Sequence, residues 1–179
     1  LIKDDFLARW AFHYTYDHRG RMAIKQVPGA KPVYMVYDNR DRLVMTQDGN
    51  QRLEDKWSYT KYDVLNRPIV TGIYTHTDSV DQASMSGLIS KTLFFETFNG
   101  LSPWYGYTNG VFPTENTLVL TVTYYDNYDF MNLWPDDYRY ANDGLSATAN
   151  GINYEQAAAS DRTVGLVTGS IVRLLSDNS

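Results

Sequence analysis

Short apolar runs separated by turn-forming residues fill the first part of the chain. The runs 33–37 and 57–62 combine Val, Met, Trp and Tyr with few charges, and the stretches 27–32 and 47–51 beside them are rich in Gly, Pro, Asn and Asp. Runs of this length with such flanks are typical of β-strands. The run 33–37 is apolar at every position, which predicts a strand with neighbours on both faces or a curved sheet that encloses something.

A Tyr-Asp dipeptide recurs at the ends of these runs. The sequence contains five such pairs, where composition alone predicts about 1.4. Four pairs share one frame, with tyrosines separated by 21, 25 and 63 residues. These pairs are Tyr16-Asp17, Tyr37-Asp38, Tyr62-Asp63 and Tyr125-Asp126. Internal repetition of this kind indicates a repeat architecture.

The residues after each pair predict a hairpin tip. Four positions after each Tyr stand Gly20, Asp41, Asn66 and Asp129, and five positions after it stand Arg21, Arg42, Arg67 and Phe130. An Asp at the start of a type I turn accepts backbone hydrogen bonds, and Gly, Asn or Asp tolerates the left-handed conformation that follows. The incoming arms are 12–16, 33–37, 57–62 and 118–125, and outgoing arms start near Arg21, Arg42 and Arg67. Arg at a fixed offset from Asp predicts a ladder of charge pairs.

We therefore predict a mainly β fold, in which antiparallel hairpin repeats form a curved, meandering sheet. Residues 1–75 hold three repeats, and residues 117–179 hold a degenerate fourth repeat, a long loop and closing strands within 165–175. Residues 155–160, with three Ala, predict one or two helical turns. Because one hairpin is too small to bury its own apolar face, we expect a single structural unit.

The repeat lapses in an irregular insertion at residues 76–116. Capping and helical spacing predict one short helix at about 79–91, and residues 94–98 predict a returning strand. The aromatic cluster Trp104, Tyr105 and Tyr107 follows. Such rings suit stacking on a sugar, and they equally suit filling the concave side of a sheet.

At the repeat residues the sequence resembles the YD-repeat, or Rhs-repeat, family, whose signature is Tyr-x-Tyr-Asp-x-x-Gly-Arg and an apolar residue. The segment YTYDHRGRM, residues 14–22, matches throughout. YMVYDNRDRL and YTKYDVLNRP match with Asp41 and Asn66 in place of Gly, and with Pro68 in place of the apolar residue. The resemblance is strong over residues 12–75, looser over 117–175, and closest to the variant of Bacteroidetes Rhs proteins.

The resemblance implies a place in a large secreted or cell-surface protein, whose repeats form a sheet that spirals into a shell, often around a toxic domain. The rest of that parent protein would be the partner. The family closes its shell near an autoproteolytic Asp-Pro-x-Gly motif, whereas this sequence has no Asp-Pro and no recognisable toxin domain. We therefore expect a fragment of the wall, and the opening Leu1-Ile2-Lys3 also suggests an excised or processed piece.

Composition and charge limit the classes of binding partner that the sequence favours. The 21 acidic residues exceed the 16 basic ones, for a net charge of −5, which disfavours nucleic acid. No apolar run is long enough to span a membrane, and the absence of Cys excludes disulfides and thiolate chemistry. Because 17 of the 21 acidic residues are Asp and many of them lie in predicted turns, the net charge says little more about a binding partner. Unpaired strand edges would allow self-association.

The sequence offers few catalytic candidates. It has three histidines, His13, His18 and His76, and no HExxH, G-x-S-x-G or phosphate-binding loop. Residues 126–129 and 142–144 lack the spacing of a calcium loop. We therefore expect no catalytic residue, cofactor or metal, and a structural or interaction role. The alternatives are a carbohydrate-binding module that uses Trp104, Tyr105 and Tyr107, and a glycoside hydrolase with two of the acids.

Overall fold

A computed structural model of the chain describes residues 6, 9–76, 78, 80–91, 93–133, 148–149, 152–153 and 162–175. Its main element is an open eight-stranded antiparallel sheet. Neighbouring strands follow one another in the chain, except that the last strand pairs with the seventh. The predicted mainly β fold, built from antiparallel hairpins, is confirmed.

The strands of this sheet are β1 His13–Tyr16, β2 Met22–Gln26, β3 Val33–Tyr37, β4 Leu43–Gln47, β5 Lys56–Tyr62, β6 Pro68–Thr75, β7 Thr117–Tyr125 and β10 Val167–Val172. A separate two-stranded sheet pairs β8 Thr148–Ala149 with β9 Ile152–Asn153. Within residues 49–133, the described helices are α1 Gly49–Leu53, α2 Gln82–Ile89 and a 3₁₀ helix at Asp129–Leu133. None of the described helices is long and apolar enough to cross a membrane.

One face of the sheet is buried beneath the insertion. In β5, Trp57, Tyr59 and Lys61 alternate with half-buried Ser58 and Thr60, as a pleated strand with one covered face requires. The side chains on the buried face are mostly aromatic and aliphatic. Together with buried side chains of β6 and β7 they form one contiguous core. Lys61 is therefore a charged side chain at an apolar position.

A glycine in β6 makes room for this core. Gly72 pairs with Tyr59 across the sheet. A Cβ atom at Gly72 would lie 2.4 Å from the Leu118 carbonyl oxygen and 2.7 Å from the Tyr59 ring. Because no real side chain tolerates those distances, the glycine allows the Tyr59 ring to pack against the backbone of the neighbouring strand.

The helix α1 was not expected from the sequence, where residues 47–51 indicate a turn. Asp48 caps it by accepting hydrogen bonds from the backbone of Asn50 at 2.8 Å and of Gln51 at 2.9 Å. The Gln51 side chain in turn accepts from the Asp48 backbone at 3.0 Å. This capping box starts a helix locally, even where glycine and asparagine follow the cap.

The helix α2 lies inside the predicted range of 79–91. Its cap is Asp81, which accepts from the Ser84 backbone at 2.8 Å, and its residues Met85 and Ile89 are buried one turn apart. The Gln82 amide donates to the carbonyls of Ala23 at 2.8 Å and Met35 at 2.9 Å. These carbonyls belong to β2 and β3, so Gln82 fixes the helix across the junction of two hairpins.

Two predictions for the irregular parts have different outcomes. Residues 94–98 do not form a strand, because Phe98 makes only an isolated bridge with Tyr107. The prediction of a closing strand within 165–175 is confirmed by β10, which pairs antiparallel with β7. The helical turns predicted at 155–160 lie outside the described residues.

Candidate functional site at the hairpin tips

One aspartate organises each of the first three hairpin tips. Asp17 Oδ1 accepts hydrogen bonds from the backbone N–H groups of Arg19 at 2.9 Å and Arg21 at 3.0 Å. Gly20 between them has a φ of 76°, in the left-handed region. The same arrangement recurs at Asp38 with Arg40, Asp41 and Arg42, and at Asp63 with Leu65, Asn66 and Arg67. Each Tyr-Asp frame thus corresponds to one turn geometry.

Each tip arginine pairs first with the aspartate of its own turn. The distance from Arg21 Nε to Asp17 Oδ2 is 2.7 Å. The matching distances are 2.7 Å for Arg42 and Asp38 and 2.6 Å for Arg67 and Asp63. The carboxylate therefore serves both the turn backbone and the guanidinium, which charge-assisted hydrogen bonds favour.

Each tip arginine also reaches the next hairpin. The Arg21 guanidinium carbon lies 4.7 Å from the centre of the Tyr37 ring, and Arg21 Nη1 lies 2.7 Å from Asp41 Oδ1. The equivalent ring distances are 4.5 Å for Arg42 over Tyr62 and 4.3 Å for Arg67 over Tyr125. Planar guanidinium groups suit this combination of stacking and hydrogen bonding.

The tyrosines complete the connection from the other side. The Tyr37 hydroxyl donates to the Met22 carbonyl at 2.9 Å, so the bond returns to the residue that follows Arg21. Tyr62 donates to Leu43 at 2.8 Å and Tyr125 to Pro68 at 3.0 Å. We call this series of contacts between Arg21, Arg42, Arg67 and Tyr37, Tyr62, Tyr125 the tip ladder. It joins each hairpin of the sheet to the next one through the same two residue types, Arg and Tyr.

The arginines of the tip ladder lower the pKa of two aspartates. Hydrogen bonding from Arg21 lowers the pKa of Asp17 from 3.8 to about 2, and hydrogen bonding from Arg67 lowers the pKa of Asp126 from 3.8 to about 2. Hydrogen bonding to Asp126 raises the pKa of Arg67. The carboxylates of Asp17 and Asp126 therefore stay charged well below neutral pH.

The fourth hairpin differs from the first three. Asp129 begins the 3₁₀ helix instead of a left-handed turn, and the Phe130 ring stacks on Tyr124 with ring centres 4.5 Å apart. The left-handed residue near the pair is Asp126 itself, with a φ of 73°. The roles expected for Asp129 and Phe130 in the repeat frame are therefore wrong, because the chain leaves the sheet immediately after Asp126.

The missing half of the fourth tip comes from farther along the chain. The Asp126 backbone N–H donates to the Leu166 carbonyl at 3.1 Å, and Asp126 Oδ1 accepts from the Gly165 backbone at 2.7 Å. Gly165 has a φ of 84° and so takes the place of Gly20. Residues 163–166 thus close the turn that Tyr125 and Asp126 begin, and residues 127–162 are an insertion into a hairpin tip. In the sequence, the second half of this tip is marked by Gly165 followed by an apolar run.

The incoming side of the fourth tip retains its ladder contacts. Arg67 binds Asp126 through two nitrogens, at 2.8 Å and 2.7 Å. The outgoing side does not offer the same contact, because Leu166 stands where the other tips have Arg. The ladder therefore has a direction, and it ends at this tip.

The aromatic cluster of the insertion packs against the core. Tyr107 is 3% exposed, its hydroxyl donates to the Thr123 carbonyl at 2.8 Å, and burial raises its pKa. Trp104 and Tyr105 are half-buried, and Tyr105 accepts a hydrogen bond from Tyr124 at 3.0 Å. Glycan binding by this cluster stays a prediction, and Tyr107 has no exposed ring face to contribute.

A buried ion pair was missed by the sequence reasoning. Lys61 Nζ lies 3.1 Å from Glu96 Oε1, and the two side chains are 0% and 1% exposed. The available signal was the position of Lys61, which follows the buried alternation of Trp57 and Tyr59. Glu96 lies in an irregular segment, so its partner could not be inferred from spacing.

The described residues contain no group of three or more His, Asp or Glu side chains arranged to hold a metal ion. Comparison of the chain with family models, with curated proteins and with solved structures found no match.

Proposed function

We propose that this chain is a non-catalytic structural segment of a larger exported YD-repeat protein, in which hairpins add side by side to form a wall. The tip ladder is the observation that supports this role. Its contacts repeat at three successive hairpin junctions with the same residue types and nearly the same distances. A contact that repeats in this way suits lateral extension of one sheet.

The edge at β1 supports the proposal further. The Tyr16 side chain is 60% exposed, whereas Tyr37, Tyr62 and Tyr125 are half-buried beneath an arginine. Trp10 and Phe12 are also exposed beside this strand. The edge thus presents the tyrosine of a ladder contact, and a partner hairpin with an Asp and an Arg at its tip has the matching chemistry.

The direction of the ladder selects this edge over the opposite one. A hairpin that docked at β1 would place its Arg over Tyr16, as Arg21 lies over Tyr37. A hairpin that docked at β10 would meet Leu166, which carries no guanidinium. We therefore propose that the rest of the parent protein continues the wall from β1.

An added repeat tests the proposal. Residues 12–32 form one full unit in the frame, so a second copy can be inserted directly before residue 12. We expect the urea midpoint to rise and the β1 amides to gain protection from hydrogen exchange, because the copy would cover Tyr16. The matched control carries Arg21→Gln in the inserted copy alone, and its gain should be smaller. Equal stability of the two variants, or no gain over the natural chain, would contradict the proposal.

A further inference from the structure

Three polar side chains meet in the core beneath the insertion. Lys61 comes from the buried face of β5, and Glu96 and Asn109 come from the insertion that covers it. Lys61 Nζ lies 3.1 Å from Glu96 Oε1 and 2.6 Å from Asn109 Oδ1. The Trp104 ring covers the amine, with its centre 4.3 Å from Nζ. A buried amine and a buried carboxyl group thus contact the side-chain amide of the half-buried Asn109.

The surrounding hydrogen bonds fix this arrangement. Glu96 Oε2 accepts from Thr108 Oγ1 at 2.6 Å and from the Gly110 backbone at 3.0 Å, and Oε1 accepts from the Val111 backbone at 2.8 Å. The Asn109 amide nitrogen donates to the Thr114 carbonyl at 2.9 Å. The amide carbonyl therefore faces Lys61, and its nitrogen faces away.

The environment favours nucleophilic attack by the amine. Desolvation lowers the pKa of Lys61, and the nearby Glu96 opposes that change. A desolvated lysine is a recognised nucleophile, because loss of hydration favours the neutral amine over the ammonium ion. Groups held in contact react far faster than the same groups free in solution, since their translational and rotational freedom is already lost.

We propose that Lys61 and Asn109 become joined by an isopeptide bond, with Glu96 carrying the protons. Lys61 first passes a proton to the Glu96 carboxylate and becomes a neutral amine. The amine attacks Asn109 Cγ, a new C–N bond forms, and the bond from Cγ to Nδ2 breaks. Nδ2 takes up two of the protons that Lys61 loses and leaves as ammonium, so Glu96 returns to its carboxylate form. The reaction needs no oxidant and no other co-reactant.

A competing reaction at the same asparagine is hindered. Asn109 precedes Gly110, a pair in which the glycine nitrogen can attack the asparagine side chain and form a succinimide. Here the Gly110 N–H is held by Glu96 Oε2 at 3.0 Å, which ties up the nitrogen that would have to attack. The geometry thus directs the Asn109 side chain toward Lys61.

The bond would have a mechanical consequence. Lys61 and Asn109 are 48 positions apart in the chain, and they belong to the sheet and to its cover. A covalent link between them would prevent the insertion from opening away from β5, even if the noncovalent contacts were lost. This inference rests on the buried site alone and is independent of the proposed wall.

Mass spectrometry of the purified full chain tests the inference. We expect the intact mass of the folded protein, measured after denaturation, to be lower than the sequence mass by one ammonia. Proteolysis should release a branched peptide that contains Lys61 and Asn109. An intact mass equal to the sequence mass would overturn the inference, as would linear peptides around both residues.

Further measurements separate the bond from a succinimide, which has the same mass loss. Hydroxylamine cleaves a succinimide and should leave the isopeptide bond unchanged.

Asn109→Ala should abolish the mass loss, whereas the matched control Asn99→Ala, at another Asn-Gly pair, should retain it. Glu96→Gln keeps the shape but cannot carry a proton, so the branched peptide should form more slowly in folded protein, as checked by circular dichroism. Mass loss that persists in Asn109→Ala, or a linear peptide with the loss at Asn109, would refute the bond.

Discussion

The first and fourth hairpin tips both combine a Tyr-Asp pair with a left-handed glycine, but they obtain these residues from differently arranged stretches of chain. In the first tip, Asp17, Gly20 and Arg21 follow one another within five residues. In the fourth, Asp126 and Gly165 meet although residues 127–164 separate them. An aspartate and a left-handed glycine can therefore meet at a hairpin tip without continuity of the chain between them. The two turns still differ, because Asp126 is itself left-handed and its carboxylate binds the backbone of Gly165, whereas Asp17 binds that of Arg19 and Arg21.

The two tips also differ in what they offer to a neighbour. The incoming strand of both carries Tyr and Asp, and at the fourth tip these accept Arg67 from the preceding hairpin. The outgoing strand carries Arg21 at the first tip and Leu166 at the fourth. Receiving and donating contacts thus lie on separate strands, so an insertion at the tip can leave one intact while the other is lost.

The largest expected effect comes from removing the arginine that connects the third and fourth tips. Arg67→Ala loses the pair with Asp63, both bonds to Asp126 and the stacking on Tyr125. We expect a loss of about 2–3 kcal/mol in unfolding free energy, measured by urea denaturation, because partly buried charges lose their partner. Arg19→Ala, at an exposed pair with Asp41, should cost less than about 0.5 kcal/mol. Similar losses for the two variants would contradict the role given to the ladder.

A smaller effect tests whether the fourth tip needs its left-handed residue. Gly165→Ala places a side chain at a φ of 84° with no atom within 4 Å of the new Cβ, so the cost is backbone strain alone. We expect about 1–2 kcal/mol, as for any non-glycine residue in this region. Gly20→Ala, at a φ of 76° and also in open space, is the matched control at a continuous tip. A neutral Gly165→Ala beside a costly Gly20→Ala would show that the fourth tip is not a true turn.

The hydroxyl bonds of the ladder tyrosines distinguish interior hairpins from the edge. Tyr62→Phe removes the bond to the Leu43 carbonyl and leaves that acceptor without its donor. We expect a loss of about 1 kcal/mol in thermal or urea unfolding. Tyr16→Phe should be nearly neutral, because no described residue bonds the exposed Tyr16 hydroxyl. Equal effects at the two positions would remove the distinction between interior and edge.

The smallest expected effect is a dependence of stability on acid pH. The pKa of Asp126 is lowered from 3.8 to about 2 in the folded protein, so the unfolded state binds more protons between those values. Stability from the Arg67 pair is therefore present above about pH 4 and is lost as the pH falls toward 2. The effect is modest because both side chains remain partly exposed. Asp126→Asn should flatten the acid limb of the unfolding free energy against pH, and an unchanged limb would contradict this origin.

The sequence by itself determined the hairpins whose information is local. Asp17 and Gly20 specify a turn within a few residues, since an Asp side chain bonds the backbone just ahead of it and Gly adopts the left-handed conformation readily. The short apolar arms then place strands on either side, so β3 was predicted with its observed bounds. The pairing of Arg with Asp followed from the same short offset.

Only the tertiary structure decided the contacts between distant segments. The fourth tip could not be located from sequence, because Gly165 meets Asp126 only after the chain has left the sheet and returned. The packing of Arg21 on Tyr37 needs two adjacent strands in register, and the meeting of Lys61 with Glu96 and Asn109 needs the insertion folded over β5. Turn chemistry acts over four or five residues and can be read along the chain, whereas burial and side-chain contact depend on which surfaces the whole fold brings together.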